Sequence, residues 1–216
     1  MKIVNQLNMK TIILLFLLIP TIVLAKYNPG NIAFNDGTNK NGFIEVPEYK
    51  DTKIKFKTDE NGKIEKYNIE DVKSFQIQND KNETENYTTI IVGTNKLFNP
   101  GKFNLDSKKS VVKIIKQGRI SVYSIHFETN TGGGMKNYYV GSDAYYLQRE
   151  NDNFAFGIGI HRYDLSYMVG IDLYQVAKIN FKEICPNFAE LIKAANLKSN
   201  EFYKLVDIYE QNCGRK

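Results

Sequence analysis

Tryptophan is absent from this 216-residue chain, and histidine and cysteine occur only twice each. Ligating side chains are therefore scarce. His126, His161, Cys185 and Cys213 form no C-x-x-C or H-x-x-x-H pair, whereas zinc needs three or four convergent ligands. No metal and no cofactor is expected. Nucleophilic catalysis also lacks a signature. There is no G-x-S-x-G elbow, neither cysteine lies near a histidine in sequence, and a triad would have to assemble from remote segments. Gly132–Gly134 and Gly157–Gly159 do not match G-x-G-x-x-G or G-x-x-x-x-G-K-[ST], so neither reads as a phosphate cradle. "NDGTNKNG" and "DENG" lack the twelfth-position glutamate of a calcium loop and read as turns. Glu65, Glu70 and Asp71 read as turn and surface carboxylates rather than a glycosidase pair.

A concentrated basic stripe is missing too. Lysines alternate with carboxylates, as in "DTKIKFKTDENGKIEKYNIEDVK", which is the pattern of a solvated mixed surface. A nucleic-acid partner is not expected. No fixed-period repeat and no low-complexity linker divides the chain.

One long apolar run is present, at the start. In "MKIVNQLNMKTIILLFLLIPTIVLA", Lys2 and Lys10 precede Ile12–Ile19, Pro20 breaks the run, and small residues lead to Ala25. That order is a secretory signal, with cleavage expected between Ala25 and Lys26. The core is short of the roughly 20 apolar residues of a membrane span. A retained anchor from Thr11 to Ala25 is the alternative, and the only expected contact with a membrane. No cysteine follows the run, which excludes a lipidated N-terminus. Removing residues 1–25 takes away two lysines and no acidic residue, lowering the formal charge from +5 to +3.

The remainder is rich in tyrosine (14) and phenylalanine (13), residues that favour pleated surfaces. From Asn31 to Ile160, about ten short strand-like runs alternate with turn signals. "KIKFK" (Lys53–Lys57) sets Ile54 and Phe56 against three lysines, the period of a strand with one dry face. Asn68 is a candidate cap for one helical turn with Asp71 at its third position. "SVVKIIKQGRISVYSIHFE" reads as two longer strands joined at Gln117-Gly118, and "NTGGGMKN" as a flexible loop. After Asp172 the period becomes helical. Leu173, Val176, Ala177 and Asn180-Phe181 form one stripe, and Phe188, Leu191, Ile192 and Ala195 another. Pro186 suits a first helical turn. Ser199 is a candidate N-cap before Phe202, Leu205, Val206 and Tyr209. Strands followed by helices define an α+β fold: an antiparallel β-barrel or sandwich-like sheet over residues 26–171, then a helical segment over 172–216.

The two cysteines bracket that helical segment. An exported chain meets oxidising conditions, and two cysteines allow one intramolecular bond. Antiparallel helices joined near Leu197–Asn200 would bring Cys185 and Cys213 within the separation a disulfide requires. A free thiol pair is the alternative. Four tyrosines surround the polar stretch "NYYVGSDAYYLQ", and adjacent strand residues face opposite sides. Tyr139 and Tyr145 are candidate contacts for a ligand or partner, with sheet packing as the plainer reading. His126, alternating with Ser124 and Glu128, reads as the wet face of a strand. His161, beside a strand end, is the better-placed candidate for a site.

The order "PGNIAFNDGTNKNGFIEV", "KIKFKTDENGKIEKYNIEDVKSFQI", "VVKIIKQGRISVY", "YYLQRE" and a Cys-Pro helix ending "LVDIYEQNC" resembles a group of uncharacterised exported bacterial proteins. The resemblance implies export and this architecture over nearly all of the chain after Ala25, and it transfers no catalytic residue. In a bacterial setting the sequons at Asn82 and Asn86 are simply a polar loop. The expectation is an exported, non-enzymatic protein of the periplasm, envelope or exterior that binds a protein or envelope ligand through its sheet. The alternatives are a hydrolase of an envelope polymer using His126 or His161, and a surface-assembly subunit using a strand edge.

Overall fold

A computed structural model describes residues 26–96, 101–130, 139–164, 168–169, 172–198 and 201–213. The expected signal segment, the glycine loop, Tyr138 and Ser199 lie outside the described residues.

Eleven strands form one sheet: β1 (Asn28–Phe34), β2 (Asn39–Glu45), β3 (Lys53–Lys57), β4 (Glu65–Asn68), β5 (Val72–Gln78), β6 (Thr84–Asn95), β7 (Phe103–Lys116), β8 (Ser121–Asn130), β9 (Tyr139–Gln148), β10 (Phe154–Arg162) and β11 (Met168–Val169). Their spatial order is β11-β10-β9-β8-β7-β6-β5-β1-β2-β3-β4, with β10 returning to β6. Every ladder is antiparallel except that last one, where Phe154, Ala155 and Phe156 pair in parallel with Ile91, Val92 and Gly93. The parallel ladder closes β6 to β10 into a barrel. The N-terminal half of β6 uses the same edge to pair with β5, so the sheet continues outward as β5-β1-β2-β3-β4. The α+β layout of sheet followed by helices is as the sequence pattern expects, with the parallel closure as its addition.

Local chemistry explains the elements. In β3, Ile54 and Phe56 are fully buried while Lys53 is exposed, as the alternation predicts. Gly30 and Gly42 face each other across β1 and β2. A Cβ at Gly30 would lie 2.1 Å from the Gln76 carbonyl oxygen, and one at Gly42 would lie 2.2 Å from that of Lys57. The expected turn after Asn68 is a 3-10 turn, Ile69–Asp71. Asn68 does not cap it through a backbone amide; its side chain donates to the Asp71 carboxylate at 3.2 Å.

Three apolar clusters organise the interior. Ile90, Val92, Val112, Tyr123, Ile125, Ala144, Tyr146 and Ala155 fill the barrel. A second cluster, with Ile32, Ile44, Phe56, Ile69 and Phe75, lies where β1 to β5 roll over their own face. The third joins the outer face of β8 to β10 to three helices: α1 (Leu173–Asn180), α2 (Phe188–Ala195) and α3 (Lys204–Asn212). Asp172 caps α1 by accepting from the Tyr174 amide at 2.9 Å. Phe188, Ile192, Phe202, Leu205, Val206 and Tyr209 are buried as the stripes require, but Ala195 is exposed and Ala189 takes its place. α3 begins at Lys204, after a turn, rather than at a serine cap near 199. Cys185 and Cys213 form a disulfide, both buried in the third cluster, with Cα atoms 5.3 Å apart. Ion pairs from Lys116 to Asp207 (2.6 Å) and Arg119 to Glu210 (2.9 Å) bind α3 to the β7–β8 turn.

Candidate functional site

One row of cross-strand neighbours runs Ile32, Phe75, Tyr87, Lys113, Ser124, Tyr145, Gly159 through β1, β5, β6, β7, β8, β9 and β10. Directly opposed residues share a sheet face, so all seven belong to one surface. Its β1–β6 end is covered by the rolled strands, and its β9–β10 end by the helices. Between them Lys113 and Ser124 stand on a floor that neither cluster covers. Val111 packs against one cluster, while Ile115 and Tyr145 pack against the other. The gap is a cleft of about 650 Å³, walled by the loop Val46–Thr52, by β7 from Asp106 to Val111, and by Ser124, Ile125, His126, Asp143, Tyr145 and Tyr163. That volume is typical of a ligand site.

At one end of the cleft four side chains interlock. His126 Nδ1 lies 3.0 Å from Asp143 Oδ1, and the Tyr163 hydroxyl donates to Asp143 Oδ2 at 2.9 Å. The Tyr163 ring stacks 5.7 Å from that of His126 and lies 5.6 Å from that of His161. Both histidines of the chain thus converge on one tyrosine. His126, Asp143 and His161 are register partners across β8, β9 and β10. Simple alternation along β10 would place His161 opposite to Phe156. A bulge between Gly157 and Gly159 shifts the register and returns His161 to the face of Asp143. The Asn95 amide donates to the Gly157 carbonyl at 2.8 Å and ties that bulge to β6.

Electrostatics follow from burial. Tyr163 is 58% exposed overall, yet partial desolvation of its hydroxyl, then the bond and the charge of Asp143, push its phenol up to about 12. Burial and Asp143 also raise Tyr145, which packs edge-on to Phe202 at 5.1 Å. Burial works to raise Glu85, but bonds from Lys113, Tyr87 and Asn79 outweigh it and leave this carboxyl below its ordinary range. Glu85 and Lys113 are 2.8 Å apart.

Of the sequence candidates, Tyr145 lines the cleft, whereas Tyr139 is 66% exposed at the start of β9 and does not. His161 reaches the cleft only through Tyr163. His126 lines it directly and is exposed, as the alternation read it, whereas Ser124 on the same face is buried. Tyr145 and its neighbour Tyr146 do face opposite sides, with Tyr146 inside the barrel. Asp143, Tyr163, Lys113 and the Val46–Thr52 loop carried no signal of their own, because only tertiary register joins them. Among the described residues, no group of three or more His, Cys, Asp or Glu is placed to hold a metal ion. No helix among them is long and apolar enough to cross a membrane. Among the described residues, the hydrogen bonds give His126 no serine, threonine or cysteine partner. The described residues thus form a closed barrel with an attached sheet, a helical cover and a large cleft where sheet and barrel meet. Comparison with protein-family models, curated proteins and solved structures finds no match.

Proposed function

We propose that this chain is an exported, non-enzymatic protein of the periplasm, envelope or exterior, and that it binds its ligand or partner in the cleft. The observation that carries the reading is the uncovered floor between two packed clusters, polar at Lys113 and Ser124 and walled by Tyr145 and Tyr163. Tyrosine supplies broad contact at low entropic cost, and a mixed polar and aromatic lining suits a ligand with hydrogen-bonding groups. The leading apolar run and the disulfide support export. Calorimetric titration of the chain from Lys26 against soluble glycans and peptides tests it. Binding is expected, with His126→Ala and Tyr163→Ala each weakening it by about tenfold and no ligand consumed.

A second reading rests on the His126–Asp143 pair, in which Asp143 holds one imidazole nitrogen in the manner of a base oriented by a carboxylate. It is a hydrolase of an envelope polymer. Ligand turnover abolished by His126→Ala, and kept by His161→Ala, would establish it over the binding reading.

A further inference from the structure

β7 and β8 join by a short turn but pair only at Lys116–Val122, Ile114–Tyr123 and Lys113–Ser124. Beyond Ser124 they share no ladder. β8 continues to pair with β9 as far as Asn130, and β7 continues to pair with β6 at Val112, Val111, Ser110 and Lys109. Among the described residues, Ile125–Thr129 and Lys109–Val112 therefore each have a ladder partner on one side only. The cleft lies between these unpaired edges, since Lys109–Val111 wall it on one side and Ile125 and His126 on the other.

Two facing strand edges offer rows of backbone donors and acceptors, and the molecule that satisfies both is another strand. Side chains do not substitute at most of these positions. The exception is Glu70, on the 3-10 turn, whose carboxylate accepts the Lys109 amide at 2.9 Å. It shows that an edge amide of β7 takes an acceptor other than β6, although Glu70 itself does not line the cleft. The charge of the lining is nearly balanced, with four lysines against five carboxylates, so nothing selects a polyanion. Tyr49, in the wall loop, lies 5.8 Å from Phe127 and flanks the opening where β8 leaves β7. Lys50 beside it holds a left-handed backbone, φ 79°, a conformation uncommon for a residue with a Cβ.

From these observations we infer that the ligand is an extended peptide segment of a partner protein, inserted as an extra strand between β7 and β8. Being antiparallel to each other, the two edges would hold it antiparallel to one and parallel to the other. Its alternate side chains would project from the same face as Lys113, Ser124 and Tyr145. This identity of the ligand rests on the cleft being the binding site, as proposed above.

The test uses the chain from Lys26, a displayed library of random twelve-residue peptides and, in parallel, a panel of soluble glycans. Strand insertion predicts enriched peptides whose N-methylation weakens binding at least tenfold at consecutive residues, because successive amides bond to β7 and β8 in turn and each methyl removes one ladder bond. It also predicts that amide exchange slows in the complex at both Lys109–Val112 and Ile125–Thr129. Peptides that protect only β4 or β11, or whose N-methyl scan shows sensitivity at every second residue alone, as pairing with a single edge would give, would overturn the inference. Glycan binding in the cleft with no peptide enriched would overturn it while sustaining the cleft as a ligand site. No binder in either arm would remove both.

Discussion

Tyr163 holds its place because residue 141 has no side chain. A Cβ at Gly141 would lie 2.9 Å from the Tyr163 ring and 3.3 Å from His126 Cε1, while the Tyr163 amide donates to the Gly141 carbonyl at 3.0 Å. The ring lies over bare backbone, which lets its hydroxyl reach Asp143. Gly141→Ala should displace the ring, and Asp143→Asn should remove its acceptor. Both changes should lower the Tyr163 phenol from about 12 toward the ordinary value near 10. Titration of ring carbon shifts in tyrosine-labelled protein checks this, and an unmoved phenol would refute the geometry. The sign of the stability effect follows. Between about pH 10 and 12 the unfolded chain has released the proton that the folded one keeps, so this contribution is whole below pH 10 and lost as pH rises. Asp143→Asn should therefore show a shallower decline across that window in alkaline denaturant titrations. None of this was legible from "SIHFE" or "HRYD", since no sequence spacing relates Gly141, His126 and Tyr163. The histidine that looked better placed, His161, stands one tyrosine away from the cleft.

At the scale of elements, legibility tracked periodicity. "KIKFK" and the stripes of α2 and α3 announced themselves because a single face of each is buried. The bulge at Gly157–Gly159 did not, because one unpaired residue inverts the faces beyond it without altering composition. The glycines there match no phosphate cradle and flank the residue at which the strand changes register. The parallel ladder between β10 and β6 was equally invisible, being set by how far the barrel curls. The cysteine pair was legible, because the expected signal segment and the number of cysteines left few alternatives. Its loop spans 28 residues in sequence, for which the chain-entropy model gives about 3.5 kcal/mol. Cys185→Ser should lower unfolding stability by about that amount in urea titrations and leave the β-sheet circular dichroism intact. A change below about 0.5 kcal/mol would mean that the packing of Phe181, Phe188 and Tyr209 holds the helices without it.

For the whole molecule, the decisive feature is continuity. A single sheet serves three purposes along its length: it rolls on itself at β1 to β5, closes as a barrel at β6 to β10, and carries helices outside β8 to β10. Each purpose brings its own apolar cluster, and the strip of face between two of them stays polar. The opening of β7 from β8 at that strip is what makes the cleft more than a surface groove, for it exposes main chain as well as side chains. A reading by strand count and turn signals reached the α+β layout but could not reach this opening, since two runs joined at Gln117-Gly118 look like an ordinary hairpin. Amide hydrogen exchange of the unliganded chain, followed residue by residue, tests the opening most directly. Slow exchange is predicted for the paired positions Lys113, Ser124 and those β8 amides that bond to β9. Alternate amides within Ile125–Thr129, which point away from β9, should exchange at least a hundredfold faster, as unpaired strand edges do. Uniform protection along Ile125–Thr129, matching that at Ser124, would mean that β7 and β8 remain zipped, and would contradict the account.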